Sequence, residues 1–169
     1  MFLSFPSGSI DLEEVNASMP SPQELAKIER ELCNIQRFGV GSTSCFGARA
    51  FLQLGRDDDA YELAKIAVSP EQGNVKWTTL VTCRCILGQV AAKRGDLEEA
   101  GGHFAQALEE AKLSRLPMLE LLAARDWKRH LLKPEGRECA EAEAVIDGAC
   151  GRMKKTREQL ASVLEADGP

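Results

Sequence analysis

Two stretches of this chain repeat one pattern at a fixed distance. "GRDDDAYELAKIAV" begins at Gly55, and "GDLEEAGGHFAQAL" begins at Gly95. Gly55 aligns with Gly95, Ala60 with Ala100, Ala64 with Phe104 and Ala67 with Ala107, always at an offset of 40 positions. Upstream, Phe51 aligns with Ala91, and Leu54 less well with Arg94. A weaker third copy follows at an offset of 40 to 41, with Gly136 after a helix and then Ala140 and Ala144. A period of this size marks an array of helical units, each leaving an apolar face that only a neighbour can cover.

The units read as helices. Ala, Leu and Glu are abundant, and aromatics are only 5%, a bias towards side chains that lose little freedom in a helix. "SPQE" at Ser21–Glu24 is a start signal: Ser21 caps, Pro22 suits the first helical position, and Glu24 completes a capping box. Leu25, Ile28, Leu32, Ile35 and Phe38 then follow at spacings of three and four, predicting a helix over 22–38. Further helices are predicted over 42–54, after the acidic turn "GRDDD" to about Ser69, over 75–93, over 97–113, and from Pro117 through Leu131. The last pattern, from Ala142 to Leu164, predicts one long helix to about Glu165, bent or frayed at Gly148 and Gly151. No strand-like alternation of any length is present. Residues 1–20 read as a flexible arm, or as the cut edge of a longer protein. Residues 21–169 read as a single helical domain with an extra helix at 22–38 and repeats at about 42–69, 75–114 and 117–165.

The second copy is the fullest: Leu87-Gly88, Ala91, Gly95-Asp96, Ala100, Phe104 and Ala107. In order and spacing this resembles the tetratricopeptide (TPR) repeat, in its longer form of about 40 residues. The resemblance covers roughly residues 42–165. It departs from the family at Arg84, where a tryptophan is expected, and in lacking the terminal proline. It implies an all-α solenoid of antiparallel helix pairs, about seven helices in a right-handed superhelical stack. Small residues would let paired helices approach closely, a large one would fill the gap to the next pair, and Gly95 would allow the tight turn. The resemblance also implies a concave groove lined by the first helix of each pair. The chaperone-binding clamp of one TPR subtype is not carried over, because Cys45 and Arg49 stand where Lys and Asn are expected, and Ile86 at a later Asn.

Catalytic motifs are absent. Gly101-Gly102-His103-Phe104 has no strand before it, so it is no phosphate loop. Its two glycines, each costing about 1 kcal/mol in a helix, suggest close packing of a neighbouring helix, and His103 reads as a partly exposed helical residue. Asp126 and His130 are spaced for an i, i+4 hydrogen bond, with no nucleophile motif to activate. Arg94-Gly95-Asp96 reads as a helix–helix turn. Six cysteines (Cys33, Cys45, Cys83, Cys85, Cys139, Cys150) are dispersed through helical patterns and read as reduced, mostly buried thiols. Cys83 and Cys85 lie on opposite helix faces, not as a zinc pair. No cofactor or metal is expected. A net charge of −5 argues against nucleic acid. No apolar run is long enough for a membrane span, and the start lacks the features of a secretory signal. A cytoplasmic location is expected.

Groove-facing candidates recur at the repeat step: Cys45, Arg49 and Gln53; Cys85, Gln89 and Lys93; Asp126, His130 and Lys133. Arg49, Gln53, Gln89, Lys93, His130 and Lys133 are the expected partner-binding residues, and their cations favour an acidic peptide or a C-terminal carboxylate. The expected function is a protein–protein interaction scaffold or adaptor without catalysis of its own. The alternatives are a piece of a larger TPR-containing signalling regulator or, less favoured, a helical-bundle enzyme. The first alternative predicts an exposed apolar face at Leu160, Val163 and Leu164, and self-association through the C-terminal helix.

Overall fold

A computed structural model describes Ala17 and residues 19–25, 27–28, 42–69 and 75–165. The described residues are helical, with no strand among them. The arm expected over 1–20 lies almost wholly outside them, as do positions 26 and 29–38 of the leading helix expected over 22–38. The start of that helix follows the capping box: Glu24 Oε2 accepts from the Ser21 backbone N–H at 2.8 Å, and Ser21 Oγ accepts from the Glu24 N–H at 3.3 Å.

Helix α1 spans Ser42–Gln53 and α2 Asp57–Ala67. Helix α3 spans Trp77–Lys93 and α4 Leu97–Ser114. Helix α5 runs over Pro117–Trp127 and continues as a π turn, Lys128–Leu132. Helix α6 covers Ala140–Met153; a 3₁₀ turn at Glu158–Leu160 leads into the short α7, Ala161–Glu165. Contacts join α1 to α2, α3 to α4 and α5 to α6, and link α1 to α3 and α3 to α5.

The turns within these pairs are built alike. Gly55, Gly95 and Gly136 have φ of 73°, 81° and 63°, the left-handed region open to glycine. Each donates to the carbonyl three residues back (Leu52, Ala92, Lys133), and the next residue donates five back, to Phe51, Ala91 and Leu132. This is the Schellman closure, which satisfies carbonyls that a helix end would otherwise leave bare.

Burial follows the repeat through two copies and corrects the third. Ala60, Ala64 and Ala67 are fully buried, as are their counterparts Ala100, Phe104 and Ala107. Ala140 and Ala144 are instead exposed. The buried set on α6 is Ala142, Ile146 and Ala149, one or two residues further on, with Cys150 beside them. Two local events cause the slip. The π turn closes i→i+5, Lys133 N–H to Lys128 O, and so takes up an extra residue. Three residues then separate Gly136 from α6, where Asp96 alone separates Gly95 from α4.

Helix α3 is apolar almost all round because it serves two cores. Its Cys83, Ile86, Leu87 and Val90 pack with α1 and α2, while Val81, Cys85 and Ala91 pack with α4, α5 and α6. Cys83 and Cys85 thus face opposite ways. The described cysteines are free thiols, and all but Cys139 are buried. Phe46 and Trp77, which fit the apolar pattern of α1 and α3, are exposed.

The long C-terminal helix expected to Glu165 is broken. Lys154 ends α6 in a left-handed conformation (φ 54°), and its backbone repeats the Schellman closure onto Gly151 and Cys150. Thr156 and Gln159 then form a new capping box, with mutual bonds of 3.1 and 3.3 Å. Leu160 is buried and Val163 and Leu164 pack against the core, so the exposed apolar face that the larger-regulator alternative expects there is covered by the chain itself.

The paired glycines of α4 also depart from expectation. A Cβ added at Gly102 would meet nothing within 4 Å, and one at Gly101 would only reach Leu131 Cδ2 at 4.0 Å. Close packing does not account for them, and the structure offers no other reason. Gly102→Ala is expected to stabilise the protein by about 1 kcal/mol, the helix-propensity difference. The melting temperature should rise by roughly 2–4 °C; a fall in thermal melts would show an unseen constraint on that face.

Candidate functional site

The first helices of the three pairs, together with α7, enclose a cavity of about 250 Å³. Arg49 comes from α1, Val81, Thr82 and Cys85 from α3, Leu119, Leu122, Arg125 and Asp126 from α5, and Ser162 and Val163 from α7. Cys85 and Asp126 stand at corresponding steps of the repeat, and Arg49 lies one helical turn beyond the equivalent step on α1, Cys45. The volume falls below the roughly 300–1,000 Å³ of small-molecule sites, and suits one or two side chains of a peptide better than a metabolite.

The polar floor is a buried ion pair. Arg125 Nη2 lies 2.6 Å from Asp126 Oδ1, and Arg125 Nε donates to the same oxygen at 2.7 Å. Burial raises the Asp126 carboxyl above its usual range, opposed by Arg125, Arg129 and Arg49. Burial and the neighbouring Asp126 push the Cys85 thiol up as well, so it stays protonated and is no nucleophile at neutral pH. Arg49 is close enough to favour the Asp126 charge but makes no ion pair among the described residues.

A second, smaller cavity of about 160 Å³ adjoins the π turn. Arg125, Lys128, Arg129, Lys133 and Arg157 line it with Ile146 and Leu164. Two arginines reach from here to the end of α7: Arg125 Nη1 donates to Val163 O at 2.7 Å, and Arg129 Nη2 to Leu164 O at 3.0 Å. Lys128 is paired with Glu143, and Arg157 with Glu143 and Asp147.

The six residues read from the sequence as partner-binding are distributed unevenly. Arg49 lines the first cavity and Lys133 the second. Gln53 is exposed on α1 and lines neither. Gln89 is buried, with its Oε1 unpartnered among the described residues. Lys93 is held by both carboxylate oxygens of Asp57, at 2.8 and 3.0 Å, so its charge is already matched. The Asp126–His130 hydrogen bond does not form. Asp126 is taken by Arg125, and the π turn changes the register in which an i, i+4 pair would meet. Arg125 and Arg129 were missed, although "RDWKRHLLK" holds both; no spacing rule distinguishes them from ordinary surface cations. His103 is half-buried on α4, beside Glu99 at 3.7 Å.

His130 has a pKa lowered to about 4 from 6.5, by burial first and then by Arg129, Arg125 and Lys93. It is therefore neutral at pH 7 and adds no positive charge. A depressed histidine pKa means that the unfolded chain takes the proton first. Stability present above pH 6.5 is thus lost as pH falls from 6.5 towards 4. For a ring that solvent partly reaches, the loss is about 2 kcal/mol. His130→Gln should remove that part of the acid destabilisation, read from urea titrations at pH 7 and 4.5; an unchanged pH slope would contradict it.

Among the described residues there is no group of three His, Cys, Asp or Glu side chains able to hold a metal ion, and no helix is long and apolar enough to cross a membrane. Comparisons of the chain with family models, with curated proteins and with solved structures give no match.

Proposed function

We infer that the chain is a TPR-like solenoid that serves as a protein–protein interaction scaffold, taking an acidic peptide or partner segment against the first helices of its pairs. The observation that carries this reading is the cavity formed jointly by α1, α3 and α5, with Arg49, which makes no ion pair among the described residues, on its wall. The three identical glycine turns at steps of 40 and 41, and the buried triplets behind them, support a repeat array. Contacts that run to adjacent and next-but-one helices suit the same architecture. Catalysis has no support in the cavity, where the thiol is protonated and the carboxylate is held by an arginine. A cytoplasmic adaptor fits the free thiols.

The test is affinity capture from the protein's own cell extract with wild type and Arg49→Glu, matched for folding by circular dichroism. An acidic partner retained by wild type should be lost by the variant, while Lys93→Glu, at an already matched charge, should lose less. Capture indifferent to Arg49→Glu would contradict the reading.

A further inference from the structure

The two ends of the paired helices are built differently. Gly55, Gly95 and Gly136 make the left-handed turns at one end. At the other end the left-handed positions fall to cations: Arg115 between α4 and α5 (φ 57°) and Lys154 after α6 (φ 54°). Glycine takes this conformation at less cost, so the backbone alone does not select them. Gly88 faces Phe104 and Arg84 faces Glu110, which brings the start of α3 level with the end of α4. Arg152 reaches Glu120 at 2.5 Å, which sets the end of α6 beside the start of α5. Trp77, Leu113, Leu116 and Met118 therefore share this end, and they are 41%, 62%, 47% and 37% exposed. Around them stand Lys76, Lys112, Arg115, Lys154 and Lys155, all exposed and making no ion pair among the described residues. Helix C-termini favour cations, which suits Lys112, but Lys76 precedes α3, where a cation is unfavourable. Of the carboxylates towards this end, Glu120 is held by Arg152 and Asp147 by Arg157; Glu109 and Glu158 do not balance the cations.

We propose that this end of the molecule binds the surface of an anionic bilayer, peripherally and without spanning it. The inference is independent of the groove reading above. Tryptophan settles at the headgroup level of a bilayer. Projecting leucines enter the boundary of the acyl chains, while lysine and arginine meet anionic headgroups. A protein partner fits less well, because lysine is depleted in protein interfaces. A second copy does not cover the patch either. Like ends would set cations against cations. At the glycine end Asp57, Asp58 and Asp59 already pair with Lys93, Arg94 and Arg56, and among the described large apolar side chains only Leu97 is exposed there. Exposed Glu98, Glu135, Glu138 and Glu141 turn that end away from an anionic surface.

The test is flotation of the full chain with vesicles of phosphatidylcholine containing about a third phosphatidylserine, against vesicles of phosphatidylcholine alone. Wild type should bind the anionic vesicles at least tenfold more tightly, and the emission of Trp77 should shift to the blue. Trp77→Phe should abolish that shift, leaving the emission of Trp127 unchanged. Lys112→Gln/Arg115→Gln should weaken binding about thirtyfold, the effect of losing two headgroup-attracted cations. Arg137→Gln, at the glycine end, should leave binding unchanged. Leu113→Ser/Leu116→Ser should bind more weakly and lose the shift. All these positions are exposed, and circular dichroism checks that each variant is folded. Binding to neither vesicle, equal binding to both, or binding that Lys112→Gln/Arg115→Gln leaves intact overturns the proposal. Larger species in sedimentation that this double variant disperses, with no vesicle binding, would make another copy the occupant and overturn it. Uptake of an acidic, leucine-rich helical peptide by the same residues, again without vesicle binding, would assign the end to a protein partner and overturn it.

Discussion

Phe104→Ala is expected to destabilise the protein by about 3–5 kcal/mol, the range for removing a fully buried aromatic ring. That is a large fraction of the roughly 5–15 kcal/mol that holds a typical domain together, and it corresponds to a fall of about 10 °C in the melting temperature. The ring is completely buried. It lies where α3 has Gly88, and a Cβ at Gly88 would approach Phe104 Cε2 to 2.9 Å. Ala100 and Ala107, on the same face of α4, carry only a methyl group each and cannot reach into the space. The cavity left by alanine would therefore stay largely unfilled. Gly88→Ala alone should cost about 1–3 kcal/mol by overpacking the ring. In the Phe104→Ala background the same change should be nearly neutral or favourable, because its clash has gone. Thermal or urea unfolding of the double-mutant cycle reads this coupling directly. Additive losses would mean that the two residues do not share the contact.

Arg125→Ala is expected to cost about 3–5 kcal/mol at pH 7, as removal of one partner from a buried ion pair does. Two attachments disappear together. Asp126 is left nearly inaccessible without its hydrogen-bonded counter-ion, with only the weaker influence of Arg129 and Arg49, and the carbonyl of Val163 loses its donor. The pH dependence separates this from a simple packing loss. Without Arg125, burial raises the Asp126 carboxyl further above its unfolded value. A raised folded pKa contributes stability at low pH that is lost as pH rises. The deficit of the variant should thus shrink as pH falls through the carboxylate range. Arg125→Met/Asp126→Leu, which removes both charges, should be more stable than Arg125→Ala at pH 7. Hydrogen exchange should also show residues 161–165 opening more readily in Arg125→Ala. A deficit independent of pH would contradict the account of the pair.

Much of this architecture is legible in the sequence, and the misses have identifiable causes. Gly55, Gly95 and Gly136 could be read because a left-handed turn residue is nearly always glycine. The triplets Ala60–Ala64–Ala67 and Ala100–Phe104–Ala107 could be read because close packing restricts side-chain size at fixed spacing. The third copy slipped because a π turn has no residue signature: "KRHLL" looks like any helix, and only the hydrogen bond of Lys133 to Lys128 reveals the extra residue. The break after Met153 was hidden by a lysine doing the work usually given to glycine, although Thr156-x-x-Gln159 was a capping signal available to the eye. At the candidate site, the stripe rule found Arg49 and Lys133. It could not tell that Lys93 would be spent on Asp57, since that pairing joins α3 to α2 across the stack. Nor could it find Arg125 and Arg129, whose role depends on where the chain end returns.

We propose that the first helices of these pairs form a peptide-binding surface with a preference for acidic ligands. Panning a random peptide library against the folded chain, in parallel with Arg49→Glu, tests it most directly. Wild type is expected to enrich peptides pairing apolar residues with an acidic end, and Arg49→Glu to lose that enrichment while its melting temperature stays close to wild type. Recovery of the same peptides by both proteins, or enrichment of basic peptides by wild type, would contradict it.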